Sequence, residues 1–174
     1  FGTDQLGRDV LSRLVYGIRA TVFLSLLTMA ITSALGACVG LVSGFFRNRI
    51  DDVLMRICDV MMSFPSEVMI LAIVGMTGPG LENVVIANVV AKWPWYARMV
   101  RSIVRQYSDK DYIRFAKVAG GSSIRIMMRH LLPGTAGELF VLTTLDTGSV
   151  ILMISALSFL GLGVQPPTPE WGMM

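Results

Sequence analysis

Residues 20–46 read ATVFLSLLTMAITSALGACVGLVSGFF, a run of 27 residues without a charged side chain. At about 1.5 Å per residue, a helix of this length extends roughly 40 Å and crosses a hydrocarbon layer of roughly 30 Å even when it is tilted. The composition agrees, because 53% of the 174 residues are hydrophobic and only 16% are charged, whereas soluble domains contain about 25% charged residues. We therefore predict an all-α, polytopic membrane protein.

Three further apolar stretches predict additional membrane-spanning helices. They cover about residues 60–76, 84–100 and 139–164. The uncharged turn GMTGPGL joins the second span to the third and predicts a helical hairpin. We expect residues 1–174 to form one transmembrane domain. Because the N-terminal segment resembles neither a cleavable signal peptide nor a free terminus, and the chain stops soon after the fourth span, we also expect one more span beyond each end.

The distribution of basic residues predicts the orientation of these spans. Of the 15 Lys and Arg residues, nine lie in 92–129, three in 47–59 and three before residue 20, and none lies in GMTGPGL. Loops rich in Lys and Arg stay in the cytoplasm. Residues 47–59 and the loop 101–133 are therefore expected inside the cell, with the N-terminal segment, GMTGPGL and QPPTPEW outside. The N-terminal arginines oppose this orientation, but Asp4 and Asp9 partly offset them.

Small residues recur along the first span. Gly36, Gly40 and Gly44 are spaced four apart and so lie along one side of a helix. In lipid, where no hydrophobic force draws helices together, such a stripe allows another helix to approach closely. We predict that these three glycines form a helix-packing surface.

Residues 109–133, DKDYIRFAKVAGGSSIRIMMRHLLP, predict a basic helix, a break and a second basic helix. Gly120 and Gly121 mark the break, because glycine destabilises helices and readily adopts a left-handed turn. In the first helix the side chains expected on the apolar face are Tyr112, Phe115, Ala116 and Ala119, and those expected on the polar face are Arg114 and Lys117.

The second helix of this segment repeats the two-faced pattern. Its expected apolar face carries Ile124, Met127, Met128 and Leu131, and its polar face carries Arg125 and Arg129. Ser122 or Ser123 is expected to cap the second helix, and Pro133 to end it, because proline lacks an amide proton. The pattern indicates a docking device on a membrane protein. An interfacial helix lying on anionic lipid is the alternative; it explains the charge but not the glycine break.

Three motifs together resemble one family. GTDQLGRDVLSRLVYGIR, the hairpin at 109–133 and ALSFLGLGVQPPTPEWG are similar to the C-type permease subunit of bacterial ATP-binding-cassette importers for peptides and nickel. The resemblance covers nearly all of the chain and implies the MetI-like permease core with a cytoplasmic coupling hairpin. That family's EAA loop reads Glu-Ala-Ala, three residues, Gly, nine residues, an aliphatic residue, any residue, Leu and Pro.

The EAA loop maps onto this sequence residue by residue. Matching positions are Ala116, Gly120, Leu132 and Pro133, while Arg114, Phe115 and His130 depart from the pattern. The resemblance implies that an ATPase-coupling loop is formed by Asp111, Tyr112, Arg114, Phe115, Ala116, Lys117, Gly120, Gly121, Arg125, Arg129, His130, Leu132 and Pro133.

The resemblance also implies partners and a location. The expected partners are a second permease subunit that is a homologous but different chain, two ATP-binding subunits, an extracytoplasmic solute-binding protein and membrane lipid. The two permease subunits would form one pathway in the bacterial inner membrane. ATP and Mg would be bound by the ATPase subunits, so no cofactor is expected on this chain, and no nucleic acid partner is expected.

The substrate class rests on the fourth span. A charge inside a span is costly and so marks a pathway or a packing contact. Asp146, with Thr143 and Thr147, could therefore line a pathway for a cationic substrate, or its carboxylate could be satisfied by hydroxyl groups in helix packing. WPWYARMVRS and TLDTG resemble the nickel or metallophore branch, which similarly has Asp at this position. Nickel or a metal chelate is therefore the predicted substrate, with a di- or oligopeptide as the alternative.

Other classes of function find little support in the sequence. No Gly-rich loop ends in Lys-Ser or Lys-Thr, so ATP binding by this chain is not expected. The single histidine, His130, leaves neither a catalytic set nor a histidine metal site. The 12 methionines are interpreted as packing residues. An ATP-independent pore stays open as an alternative, although it would need rings of polar residues from identical subunits.

Overall fold

The computed structural model describes residues 1–4, 6–165 and 167–174, so Gln5 of the N-terminal motif and Pro166 of QPPTPEW lie outside the described residues. The described residues contain helices and an isolated bridge between Thr3 and Asp9, but no strand. The all-α prediction is confirmed. The helices are α1 (Val10–Phe46), α2 (Arg49–Met62), α3 (Ser66–Thr77), α4 (Leu81–Ser108), α5 (Asp111–Val118), α6 (Ser123–Ile126) and α7 (Leu132–Phe159), with a π-helical turn at Met127–Leu131 and a 3-10 turn at Trp171–Met173.

Two continuous helices in the described chain are long and apolar enough to cross a membrane. They are Val10–Phe46 and Ser123–Phe159, and a third span is possible if the broken pair α2 and α3 counts as one. The first helix begins ten residues before the predicted span at 20–46. The predicted span at 84–100 lies within α4, which also carries Lys92 and Arg98. Its crossing of the membrane stays a prediction.

Proline and glycine residues mark the ends of α3. Pro65 directly precedes the helix, and Gly78, with φ of +90°, follows it. The Asn83 side-chain amide then donates hydrogen bonds to the carbonyl oxygens of Thr77 at 3.1 Å and Gly78 at 3.0 Å. The predicted GMTGPGL turn is thus closed by a side chain from the start of α4.

Contacts divide the described chain into two compact units. The first comprises residues 1–30, 65–91 and 145–174, and the second comprises 31–64 and 92–144. Helices α1, α4 and α7 each contribute to both units, and the segment 109–131 belongs wholly to the second.

The first unit contains a buried carboxylate near the C-terminal turn. Glu170 is fully buried, and its Oε1 accepts hydrogen bonds from the hydroxyl groups of Thr21 at 3.0 Å and Ser155 at 3.2 Å. Its Oε2 accepts a hydrogen bond from the Gly172 amide at 2.7 Å. Burial of a polar group is costly unless the group is hydrogen-bonded, and these bonds satisfy both oxygens. The carboxylate therefore fastens the C-terminal turn to α1 and α7.

In the second unit, the glycine stripe of α1 lies against α4. A Cβ atom built on Gly36 would lie 2.3 Å from the Tyr96 Cβ, and one on Gly40 would lie 2.6 Å from the Ala97 carbonyl oxygen. Contacts below 3.0 Å do not occur between real Cβ atoms and backbone. Only hydrogen at these positions permits the observed approach of the two helices.

The same contact supports the core of the second unit. Its buried members come from α1, α4 and the segment 109–131, and they are Ala37, Leu41, Val100, Val104, Ile113, Ile126 and Leu131. The segment predicted to be a docking device is therefore anchored on the pair α1 and α4.

The prediction that Pro133 ends the second basic helix is wrong. Residues 123–159 run as one continuous helix, and Pro133 is the second residue of α7. A proline ring in a regular α-helix clashes with the carbonyl group four residues earlier. The π-helical turn at Met127–Leu131 widens the helix just before Pro133. This local change of winding accommodates the ring, and the helix continues.

Because α1 and α4 approach closely at Gly36, a glycine-to-alanine substitution should destabilise the protein there and stabilise it at Gly75, which has no close neighbour. Gly36→Ala should destabilise the protein by about 1–3 kcal/mol through overpacking. Gly75→Ala, in α3 with no neighbouring atom within 4 Å of the new Cβ, should stabilise it by up to about 1 kcal/mol through lower unfolded-state entropy. Thermal unfolding of the two variants in detergent measures the difference. A Gly36→Ala protein as stable as the Gly75→Ala protein would contradict the packing.

Candidate functional site: a basic loop with an exposed apolar face

The segment 109–131 folds into the predicted helix, break and helix. Helix α5 ends before Gly120, which has φ of +81°, a left-handed conformation that favours glycine. The Gly121 amide donates to the Ala116 carbonyl oxygen at 3.0 Å and so caps the end of α5. Ser122 precedes α6, and its hydroxyl accepts a hydrogen bond from the Arg125 amide at 3.4 Å. The predicted break and cap are confirmed.

One side of this segment is buried in the second unit. Ile113, Ile126 and Leu131 are at most 1% exposed, and Ala116 and Met127 pack against the same cluster. The sequence prediction had placed Tyr112 and Phe115 on the apolar face and had missed Ile113 and Ile126. The burial of Ile113 and Ile126 could have been inferred from their residue type, because isoleucine is buried more completely than tyrosine on average.

The other side exposes large apolar side chains, which we call the exposed apolar face. Its most exposed aromatic member is Phe115, at 72%. The face comprises Tyr112, Phe115, Val118, Ile124 and Met128. Tyr112, Phe115 and Val118 are spaced three apart and Ile124 and Met128 four apart, so each set lies along one side of its helix. Large apolar side chains exposed in this way are typical of a site of interaction with protein or membrane.

Basic residues surround the exposed apolar face. Arg114, Arg125 and Arg129 are exposed. Lys117 is also exposed, and its Nζ atom lies 4.8 Å from the centre of the Phe45 ring, so that it contacts the end of α1. The two helices that carry the exposed apolar face therefore also expose four basic side chains. The acidic residue Asp111 lies in the first turn of α5, where it complements the helix dipole.

The last residues of the predicted coupling loop lie at the start of the long helix. His130 is half-buried, with its ring centre 6.4 Å from that of Tyr112. Leu132 is half-buried and packs against the core cluster, whereas Pro133 is exposed. The structure thus brings the N-terminal and C-terminal halves of the predicted loop together.

The start of the loop is tied to the end of α1 by Arg47. Its Nη1 atom lies 3.0 Å from a carboxylate oxygen of Asp109, and its Nη2 atom donates to the Arg105 carbonyl oxygen at 2.8 Å. The hydrogen bond from Arg47 lowers the pKa of Asp109 below its ordinary value of 3.8. Because this pKa is lowered, the contact contributes fully above about pH 4 and is lost on acidification.

A cluster of charged side chains lies beneath the loop and was not predicted from the sequence. Asp51, in the first turn of α2, is 2% exposed. The Arg101 guanidinium donates to both of its oxygens, with Nε to Oδ1 at 2.5 Å and Nη2 to Oδ2 at 2.7 Å. Arg105 and the Ser43 hydroxyl also bond the carboxylate. The available signal was a set of arginines at positions 98, 101 and 105, which share one side of α4.

The residues predicted to line a pathway lie in α7. Asp146 is half-buried about four turns into this helix, and the Ser149 hydroxyl donates to its carbonyl oxygen at 2.7 Å and to its carboxylate. The Thr143 hydroxyl donates to the Leu139 carbonyl oxygen at 2.8 Å. Thr147 is half-buried. The Asp146 carboxylate thus accepts a hydrogen bond from a hydroxyl group of its own helix, that of Ser149.

Residues 36–174 match the family described as the inner membrane component of binding-protein-dependent transport systems. The chain belongs to this family. Among similar proteins, a di/tripeptide transport system permease of Pseudomonas aeruginosa is 44% identical over 173 residues, which are 99% of this chain and 57% of that protein. A metal-staphylopine import system permease of Staphylococcus aureus is 42% identical over 99% of this chain and 60% of that protein.

A nickel transport system permease of Escherichia coli K12 is 39% identical over 99% of this chain and 62% of that protein. This chain spans about three-fifths of the length of these curated relatives. The resemblance to the permeases of peptide and nickel importers is confirmed. The relatives are transport proteins of an inner-membrane family rather than enzymes.

Proposed function

We propose that this permease is the membrane-spanning subunit of an ATP-driven importer and that its segment 109–131 docks on an ATPase subunit. The exposed apolar face is the observation that carries the proposal. It lies on a segment whose opposite side is already buried against α1 and α4. A partner that covers this face would therefore be coupled to both helices.

The two-sided structure of the segment suits it to transmit force. Ile113 and Leu131 hold the segment to the core of the second unit, so a push on the exposed side displaces packed helices rather than a free loop. The exposed Phe115 would supply an apolar anchor in a cleft of the partner. The surrounding arginines would orient the encounter more than strengthen it. Nucleotide-driven closure of the ATPase subunits would then move this segment.

The remaining partners follow from the family. A second, homologous permease subunit would complete the pathway, and an extracytoplasmic binding protein would deliver the substrate. ATP and Mg would be bound by the ATPase subunits. Membership of a binding-protein-dependent transport family favours this importer over an ATP-independent pore.

For the substrate we propose nickel or a metal chelate. Asp146 places a carboxylate deep in a helix long and apolar enough to span the membrane, where a charge is costly unless it is used. Among the relatives, the metal-staphylopine and nickel permeases accord with this choice. The di/tripeptide permease of similar identity supports a short peptide equally well, so the substrate must be measured.

Docking through Phe115 predicts separate effects on assembly and on stability. Phe115→Glu should abolish copurification of the ATPase subunits and leave the thermal stability of the permease unchanged, because the side chain is exposed. Phe115→Leu should retain assembly. Ile113→Ala should instead lower the stability by about 2–5 kcal/mol, because it leaves a cavity in the core. Normal ATPase copurification with Phe115→Glu would refute the docking site.

A pathway role for Asp146 predicts a substrate-dependent defect. Radiolabelled Ni²⁺, alone or with free histidine, and a radiolabelled tripeptide are offered to the complete importer. The wild type should take up nickel, and Asp146→Asn should reduce this uptake by about tenfold, or about 1.4 kcal/mol, while ATP hydrolysis continues. Ser149→Ala, which keeps the carboxylate, should transport normally. Uptake of the tripeptide alone would replace the metal assignment with the peptide one.

A further inference from the structure

The Asp51 carboxylate is a junction of three helices. It belongs to α2 and accepts hydrogen bonds from Ser43 of α1 and from Arg101 and Arg105 of α4. All of these residues lie in the second unit. The docking of an ATPase subunit and the lining of the pathway make no use of this buried charge.

The bonds between α2 and α4 at this junction all meet at the carboxylate of Asp51. The Arg101 guanidinium forms a two-pronged pair with Asp51, which fixes direction as well as distance. Arg105 bonds the oxygen that also accepts from Arg101 Nη2. A nearly fully buried carboxylate that faces two guanidinium groups cannot be removed without leaving uncompensated positive charge.

Contacts lead from the segment 109–131, which we call the coupling segment, to this carboxylate. Asp109, two residues before α5, pairs with Arg47 at 3.0 Å. Arg47 bonds the Arg105 carbonyl oxygen at 2.8 Å, and the Arg105 side chain bonds Asp51. Each step joins residues of the second unit. The Arg47–Asp109 pair is itself exposed, at 37% and 57%, and contributes little. Displacement of the segment would therefore reach Asp51 mainly through α4, because Val104 packs in the same buried cluster as Ile113 and the neighbouring Arg105 bonds Asp51.

Two residues of helix α2 are buried, Asp51 and Cys58, so its charged contacts are a large part of what positions it. Non-helical residues flank α2 on both sides, at 47–48 before it and at 63–65, which include Pro65, after it. Backbone continuity therefore does not fix α2 to α1 or to α3. A second ion pair, between Asp59 and Arg98, also joins α2 to α4, but both side chains are about half exposed, at 53% and 46%. Exposed pairs contribute little, whereas buried ones have large effects when broken.

We propose that Asp51 is the positioning residue through which movement of the coupling segment reaches α2. The inference rests on the proposed function, because it assumes that an ATPase subunit drives the segment. Without the Asp51 charge, the segment would still move with nucleotide, but α2 would no longer follow. ATP hydrolysis would then continue without matching transport.

The test compares Asp51→Asn with Asp59→Asn, which removes the exposed pair between the same two helices. Both are placed in the complete reconstituted importer, and ATP hydrolysis is measured together with uptake of radiolabelled Ni²⁺ and of a radiolabelled tripeptide. Asp51→Asn should assemble and hydrolyse ATP within about twofold of the wild type, with uptake per ATP about tenfold lower. Asp59→Asn should change this ratio by less than about twofold. Asp51→Glu, which restores the charge, should recover most of the coupling.

The outcomes separate this role from simple structural support. An unchanged ratio in Asp51→Asn, a ratio no lower than that of Asp59→Asn, or a parallel loss of hydrolysis and uptake would overturn the proposal. If Asp51→Asn does not assemble, Arg105→Gln is tested instead, because it keeps the two bonds from Arg101 to Asp51. A lowered uptake per ATP in this variant supports the proposal, and a normal uptake per ATP or failed assembly overturns it. A wild-type complex without ATP-dependent uptake of either probe would instead refute the proposed function.

Discussion

The close contact between α1 and α4 is the constraint on which the second unit depends. Gly36 and Gly40 let the α4 backbone approach to distances that any larger side chain would prevent. This approach brings the apolar residues of both helices together and creates the cluster that buries Ile113. It also places the arginines of α4 within reach of Asp51. Because lipid gives no hydrophobic push between helices, such a contact must come from packing and polar bonds.

The docking role proposed for the segment 109–131 requires its two different sides. On one side, Ile113, Ile126 and Leu131 are buried in the protein's own core. On the other side, Tyr112 and Phe115 remain exposed. A segment with both sides buried could not bind a partner, and one with both sides exposed could not transmit a displacement. The basic residues of the segment are exposed, and one of them, Lys117, also contacts Phe45 at the end of α1.

Local features of the fold were predictable from the sequence, and long-range ones were not. A helix over residues 20–46 and a break at Gly120 depend on neighbouring residues, and the structure contains both, although the helix begins earlier, at Val10. The burial of Ile113 in preference to Phe115 depends on which side meets α1 and α4, which helical periodicity alone does not specify. The arginine partners of Asp51 lie 50 and 54 positions away in the chain. The continuation of the helix through Pro133 required a π-helical turn that no local pattern signalled.

Docking of an ATPase subunit requires that the exposed apolar face lie on the cytoplasmic side of the membrane. The direct measurement is labelling of a Ser122→Cys variant with a membrane-impermeant maleimide, in a chain whose Cys38 and Cys58 are replaced by alanine. Ser122 is exposed and lies between the two helices of the segment. We expect no labelling in intact spheroplasts and full labelling in inverted vesicles. Labelling in intact spheroplasts would place the segment outside the cell, where no ATPase subunit could dock on it.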